Sequence, residues 1–245
     1  MSGSARALAY AVHALTASGV VVALAAMLEV ASETPDPRRV LAWLGLAIAI
    51  DAIDGPLARA AVIERNAPAI DGRTIDDIVD YLTYTFIPLA LVLRMGWTAG
   101  PAWLAASAVG LAMVTSLFGF AHRAAKDEQA GFFRGFPSYW NLAAYYFGLW
   151  ASLYDTAGRV AVTVALLVLA VSTVLPVRFV YPNRARPPWR RPILLGAVGW
   201  GVLLAVSLPW YPRPDETGGI APAAMWLSLS YPLFYCAVSV RLDRG

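Results

Sequence analysis

The segment from Val40 to Leu93 reads VLAWLGLAIAIDAIDGPLARAAVIERNAPAIDGRTIDDIVDYLTYTFIPLALVL. Two apolar stretches flank a centre that is rich in Asp, Gly and Arg. Each half approaches the roughly 20 residues that a helix needs to cross a bilayer. A carboxylate in or near hydrocarbon costs at least about 2.5–3.5 kcal/mol on insertion scales, so the central acids are candidates for function. The segment therefore predicts two membrane-spanning helices that meet at a polar site.

The whole 245-residue chain continues this apolar pattern. Hydrophobic residues make up 59% and charged residues 14%, whereas a typical soluble domain has about 25% charged residues. This composition argues against a soluble domain, and it argues against intrinsic disorder, which needs low hydrophobicity. About eight stretches are long and apolar enough to span a membrane, and they lie near Ala7–Ala31, Val40–Ile63, Thr74–Leu93, Pro101–Ala121, Pro137–Leu153, Val160–Phe179, Ile193–Trp210 and Ala223–Val240.

The cations predict the orientation of these spans. With the N-terminus in the cytoplasm, all but five of the 19 Lys and Arg residues fall in cytoplasmic loops; the five are Arg38, Arg39, Arg94, Arg159 and Arg213. This positive-inside bias predicts an even number of spans and two cytoplasmic termini. Because the connections are short, we expect one all-α membrane domain over residues 1–245. The formal net charge of +3 belongs to membrane edges, and we expect no nucleic-acid partner.

Acidic residues concentrate where the second and third spans join. On helices, spacings of three and four place two sets of residues on one face each: Asp51, Asp54, Gly55, Ala58 and Arg59, then Gly72, Asp76 and Asp80. Antiparallel packing would bring the two faces together. Four carboxylates cannot all stay ionised without a counter-charge, and oxygen ligands suit Mg²⁺ or Mn²⁺. The pattern predicts a metal site formed by Asp51, Asp54, Asp76 and Asp80.

The residues around these acids suit a phosphate-containing ligand. Gly55, Ala58 and Gly72 leave room near the backbone, and Arg59 offers a planar cation that matches phosphate. One alternative is a set of solvated helix-end carboxylates without function. Another is a cation transporter, whose acids would lie near the bilayer midplane. The acids here gather toward one interface, which favours an enzyme.

The motif Asp51-x-x-Asp54-Gly55-x-x-Ala58-Arg59, followed by Gly72-x-x-x-Asp76-x-x-x-Asp80, resembles the signature of the CDP-alcohol phosphotransferase family. Twelve residues separate Arg59 from Gly72, more than in most of the family, and this gap resembles the bacterial phosphatidylcholine synthase branch. The segments Asp80–Tyr84 and Gly135–Asn141 also resemble that branch. The resemblance implies a six-helix core with two extra helices, in the bacterial inner membrane, with the active site of the motif at 51–80 facing the cytoplasm.

The resemblance also implies the reaction. CDP-diacylglycerol would donate its phosphatidyl group to choline and release CMP, with two Mn²⁺ or Mg²⁺ ions stabilising the phosphates. The implied CDP-diacylglycerol contacts are Gly55, Ala58, Arg59, Gly72 and Thr16. Asp80 would act as the general base and as a metal ligand. Relatives suggest a homodimer. The same chemistry with serine or another alcohol is the alternative.

Choline carries a quaternary ammonium group, which proteins usually recognise with aromatic faces. Tyr84 lies one turn after Asp80 on the same helix face, and four further aromatic residues cluster near the cytoplasmic end of the predicted fifth span: Tyr139, Trp140, Tyr145 and Tyr146. Because the resemblance implies choline as the acceptor, these five residues are the candidates for the choline pocket. The alternative is an aromatic belt at the membrane interface, which many membrane proteins have.

Overall fold

The computed structural model describes residues 3–122, 126–127, 130–213 and 220–244. These residues form helices joined by short loops and one small sheet. The helices are α1 (Gly3–Val30), α2 (Pro37–Ala61), α3 (Ile63–Asn66), α4 (Gly72–Asp80), α5 (Ile87–Arg94), α6 (Ala102–Ala121), α7 (Trp140–Leu153), α8 (Asp155–Val174), α9 (Arg190–Ser207), α10 (Ile220–Ser228) and α11 (Ser230–Arg244). The strands are β1 (Lys126–Asp127), β2 (Phe132–Arg134) and β3 (Arg178–Val180).

Six helical stretches of the described residues are long and apolar enough to cross a membrane. They are Gly3–Val30, Pro37–Ala61, Ala102–Ala121, Asp155–Val174, Arg190–Trp210 and Ala223–Asp243. They match six of the eight predicted spans, and many of their large apolar side chains face outward. The prediction of an all-α, multi-pass membrane protein is therefore confirmed.

The predicted third span, Thr74–Leu93, takes a composite form. Helix α4 continues into a π-helical segment, Tyr81–Phe86, which continues into α5. The chain thus stays helical from Gly72 to Arg94, and this run is about 30 Å long, comparable to the hydrocarbon core. A π-helical turn is rare and frequently occurs at functional sites, and this one begins directly after Asp80.

The predicted fifth span, Pro137–Leu153, is helical only over α7, which has 14 residues. A helix of this length covers about 21 Å, which is less than the hydrocarbon thickness of about 30 Å. Helix α7 lies inside the bundle instead, and nine of its residues are buried. The predicted number of eight full spans is therefore approximate.

The small antiparallel sheet was not predicted from the sequence. Strand β2 pairs with β1 and with β3, and Phe133 lies opposite Phe179. The pairing continues beyond β2, where the Gly135 N–H donates to the Val177 carbonyl at 2.7 Å. The sheet thereby joins the segment before α7 to the segment after α8. It fixes where the chain enters α7, beside the acidic residues.

Two of the five arginines that the positive-inside count assigns to the non-cytoplasmic side hold loops together. Arg38 forms an ion pair with Asp36 at 2.9 Å, and its guanidinium also donates to the Pro209 carbonyl. Arg94 donates to the Ser32 carbonyl at 3.1 Å. These loops are thus held together by backbone carbonyls and by acids that take no part in the motif.

Candidate active site

The acidic residues lie on two helix segments with defined ends. Helix α2 carries Asp51 and Asp54, and it ends when Val62 adopts a left-handed conformation with φ of 47°. Helix α4 starts at Gly72, and Asp71 caps it by accepting hydrogen bonds from the backbone N–H groups of two following residues. Asp71 is therefore the N-cap residue of α4. The cap fixes the start of the helix that presents Asp76 and Asp80.

Asp71 is exposed, and its local hydrogen bonds shift its pKa. The Thr74 hydroxyl donates to its carboxylate at 2.8 Å, and the backbone N–H groups of Thr74 and Arg73 donate as well. These hydrogen bonds favour the charged form, so they lower the pKa of Asp71 below its usual value. The cap is therefore formed by an ionised carboxylate across the physiological range.

Three carboxylates come together between α2 and α4. Asp51, Asp76 and Asp80 are half-buried, and each offers an oxygen within 4.8 Å of the oxygens of the other two. Three negative charges this close, partly removed from water, repel one another unless a cation lies among them. Half-buried oxygen ligands from two helices fit a hard divalent ion such as Mg²⁺ or Mn²⁺. The geometry could therefore hold a metal ion.

Asp54 has a different environment. It lies one turn after Asp51 on α2 and is 5% exposed, and among the described residues it does not join the group of three carboxylates. Its role as a metal ligand stays a prediction.

Arg59 and its neighbours form the cationic side of the site. The Arg59 guanidinium lies over Gly55, with one nitrogen 3.6 Å from where a Cβ atom of Gly55 would lie. Arg59 is exposed and Ala58 is half-buried. The guanidinium is thus accessible from solvent one turn beyond the acidic residues, on the same helix. This position suits a contact with a phosphate group.

Gly72 packs against the first helix. A Cβ atom on Gly72 would lie 2.7 Å from Cε1 of His13, which is 5% exposed, so the space that we predicted for a ligand is occupied by this imidazole. Gly19 makes a similar close contact with Val79. Thr16, predicted to contact the nucleotide, lies between His13 and Gly19 on α1, and its hydroxyl bonds to the Val12 carbonyl at 3.4 Å. The small residues therefore bring α1 against α4.

Two of the five predicted choline residues lie beside the carboxylates. The Tyr84 hydroxyl donates a hydrogen bond to Oδ2 of Asp51 at 2.8 Å. The rings of Tyr84 and Tyr139 are 5.9 Å apart, tilted by 49°. Both tyrosines lie near Asp51 and Asp80. Tyr139 directly follows Ser138, a buried residue with φ of 57°, so a strained backbone turn aims its ring at the site.

The other three aromatic residues make contacts elsewhere in the bundle. Trp140 is fully buried, and its indole N–H donates to the Ser116 hydroxyl at 2.7 Å. The Tyr145 hydroxyl bonds to Ser207 at 2.6 Å, and the Tyr146 hydroxyl bonds to a serine of α10. Tyr145 also packs on Tyr211, which lies at the opposite end of the bundle. The structure therefore does not bring Tyr145 and Tyr146 to the carboxylates.

Three features of the site were missed by the sequence reasoning. The bond from Tyr84 to Asp51 had a partial signal, because Tyr84 lies four residues after Asp80 and shares its helix face. No feature of the sequence indicated the π-helical turn that carries Tyr84. The contact of His13 with Gly72 joins residues far apart in sequence, and only their tertiary arrangement reveals it.

Several relatives are similar to this chain over most of its length. Phosphatidylcholine synthase of Pseudomonas aeruginosa is 38% identical over 186 residues, which cover 74% of this chain and 72% of that protein. Phosphatidylcholine synthase of Bradyrhizobium diazoefficiens is 37% identical and covers 96% of this chain and 84% of its own length. The Rhizobium meliloti phosphatidylcholine synthase is 31% identical, with 89% and 87% covered.

No family model matches the chain. The relatives nevertheless agree with one another in name. With identities above 30% over more than two thirds of each of these proteins, the chain belongs to the phosphatidylcholine synthase family.

Proposed function

We propose that the protein is a membrane phosphatidyltransferase that makes phosphatidylcholine from CDP-diacylglycerol and choline and releases CMP. The observation that carries this proposal is the group of three carboxylates, Asp51, Asp76 and Asp80, in a chain of this family. The carboxylates match the need of a reaction at a pyrophosphate, where negative charge must be neutralised. The exposed Arg59 beside them supplies a cation for a phosphate of the donor.

The metal ions of this reaction would be Mn²⁺ or Mg²⁺, which prefer oxygen ligands, and Asp51, Asp54, Asp76 and Asp80 would hold two of them. When bound, such ions neutralise the pyrophosphate and stabilise the charge on the leaving CMP phosphate. We propose that the nucleotide contacts Gly55 and Ala58 on α2, Gly72 on α4 and Thr16 on α1. Its route must pass the His13 imidazole, which packs on Gly72.

Asp80 is the proposed general base. Its carboxylate would accept the proton of the choline hydroxyl while the hydroxyl oxygen forms a bond to the phosphatidyl phosphorus. The bond from that phosphorus to the bridging oxygen of the pyrophosphate breaks, and CMP leaves with this oxygen. Asp80 suits the role because it is half-buried at the end of α4, next to the two aromatic rings. It would also contribute to metal binding.

The acceptor would bind against the faces of Tyr84 and Tyr139. These rings adjoin the carboxylates, and aromatic faces attract a quaternary ammonium by about 0.5–2 kcal/mol each. Trp140, Tyr145 and Tyr146 were also predicted to bind choline, but their polar atoms bond to serines of other helices. We therefore assign them to the support of α7 and the choline pocket to the first two tyrosines.

The proposed setting is the bacterial inner membrane. The site would face the cytoplasm, because the arginine-poor end of the bundle lies opposite the acidic cluster and cations concentrate on cytoplasmic loops. There the lipid donor can enter between helices and choline can arrive from water. We further propose that residues 1–245 form a single domain and that two copies form a homodimer.

An acceptor panel tests the proposed function. The full chain is reconstituted in nanodiscs with labelled CDP-diacylglycerol and Mn²⁺, and then given choline, serine, inositol or ethanolamine. We expect CMP release and a labelled phosphatidylcholine product with choline alone, and loss of both in Asp80→Asn. Strong turnover with serine and none with choline would refute the choline assignment and favour the phosphatidylserine alternative.

A further inference from the structure

The Tyr84 hydroxyl forms a hydrogen bond with one member of the carboxylate cluster. It donates to Oδ2 of Asp51 at 2.8 Å, across the interface between the π-helical segment and α2. Tyr84 is 9% exposed, so the phenol is almost fully removed from water. A hydrogen bond to a charged acceptor is roughly twice as strong as a neutral one. This bond links the helix that carries Asp76 and Asp80 to the helix that carries Asp51.

The local backbone holds this phenol in place. Tyr84 lies within the π-helical segment Tyr81–Phe86, and its neighbours Thr83 and Thr85 are buried. The Thr83 hydroxyl bonds back to the Val79 carbonyl at 2.9 Å. With both neighbours buried and the Tyr139 ring 5.9 Å away, the phenol has little freedom to turn aside. Its hydroxyl therefore acts as a fixed donor toward Asp51.

A fixed donor changes what the carboxylate of Asp51 can do. A free carboxylate rotates about its last bond and would turn away from two neighbouring negative charges. When Tyr84 holds one oxygen, the rotation is restricted and the other oxygen keeps a defined direction. Partners that orient a metal ligand in this way commonly matter about 10- to 100-fold for metal affinity.

We propose that Tyr84 is a positioning residue, whose hydroxyl orients Asp51 for the divalent ion while its ring faces the acceptor. This inference rests on the proposed function, which supplies the role of the ion. It deepens that function because it gives the hydroxyl and the ring of one side chain separate tasks. The hydroxyl belongs to the metal site, and the ring belongs to the wall that Tyr84 forms with Tyr139.

The test compares two tyrosines of the same π-helical segment. Tyr84→Phe removes the hydroxyl that bonds to Asp51 and keeps the ring. The matched control is Tyr81→Phe, because the Tyr81 hydroxyl donates to the Met113 carbonyl at 3.2 Å and away from the carboxylates. Mn²⁺ binding to each full chain in nanodiscs is measured without substrates, from the electron paramagnetic resonance signal of free Mn²⁺. Thermal unfolding of each variant reports whether it is folded.

We expect Tyr84→Phe to bind Mn²⁺ about tenfold more weakly and Tyr81→Phe to bind it as the unchanged protein does. At saturating Mn²⁺, Tyr84→Phe should keep the choline KM of the unchanged protein, because the ring is retained. Equal Mn²⁺ affinity of Tyr84→Phe and the unchanged protein would overturn the inference. A failure of the choline assignment would appear only in the acceptor panel, since the Mn²⁺ titration uses no acceptor.

Discussion

Gly72 lies where α1 touches the helix that carries Asp76 and Asp80. A Cβ atom built on Gly72 would lie 2.7 Å from Cε1 and 3.1 Å from Nδ1 of His13. Carbon atoms in contact are normally about 3.5–4.0 Å apart. Gly72→Ala therefore forces the imidazole or the start of α4 to move by about 1 Å. His13 is buried, so it has little space into which it can withdraw.

The magnitude follows from this overlap. Overpacking a well-filled contact costs about 1–3 kcal/mol of the free energy of unfolding. A displacement of catalytic groups by about 1 Å costs roughly 100-fold in rate, and Asp76 and Asp80 follow Gly72 by one and two helical turns. We expect Gly72→Ala to lower the free energy of unfolding by about 1–3 kcal/mol, which appears as a lower unfolding temperature. We expect it to slow CMP release roughly 100-fold.

Four proteins in nanodiscs provide the assay: the unchanged chain, Gly72→Ala, His13→Ala and the double variant. Thermal unfolding and CMP release are measured for each. The double variant should regain most of both quantities, because the imidazole that obstructs the new methyl group is gone. Gly45→Ala on α2 is the control, since a Cβ atom there meets nothing within 4 Å.

The outcome of the double variant decides between two reasons for a glycine. If the double variant regains stability but stays as slow as Gly72→Ala, the space at Gly72 is needed by the nucleotide, and the packing explanation is wrong. Normal stability and normal rate in Gly72→Ala alone would refute the contact itself.

Three further predictions concern the site and its supports. Asp80→Asn should reduce turnover about 10²- to 10⁴-fold while CMP binding persists, whereas Asp54→Asn should also weaken metal-dependent CMP binding; equilibrium binding and rates separate the two. Tyr139→Ala should raise the choline KM about 5-fold more than the CDP-diacylglycerol KM, and Tyr145→Phe should leave both unchanged. Asp71→Ala should lower the unfolding temperature at neutral pH. Because the folded pKa of Asp71 lies below its usual value of 3.8, this difference should shrink as the pH falls through that folded pKa.

The aromatic residues show where the sequence reasoning was limited. Tyr84, Tyr139, Trp140, Tyr145 and Tyr146 looked equivalent as candidates, because each is aromatic and near the predicted interface. The structure separates them by hydrogen bonding: Tyr84 contacts Asp51, whereas Tyr145 and Tyr146 contact serines of distant helices. The separation depends on how α7 is rotated against its neighbours, and a sequence pattern carries no information on that rotation.

The acidic residues show where the sequence was sufficient. Asp76 and Asp80 share a helix face because they are four residues apart, and this spacing is a property of the α-helix itself. The apolar stretches likewise fix the membrane class, because a bilayer demands long runs of apolar residues. Both kinds of information are local, so they can be read along the chain.

The tertiary structure decided which residues meet across helices. It brought Asp51 to Asp76 and Asp80 without Asp54, directed the Tyr84 hydroxyl at Asp51, and filled the space beside Gly72 with His13. These contacts depend on the close approach of α1 to α4 and on the π-helical turn after Asp80. The sequence thus determined the membrane helices and the acidic faces, because those follow from period and polarity. Packing decided which of the predicted acidic and aromatic residues meet, because they come from helices whose relative rotation depends on every contact in the bundle.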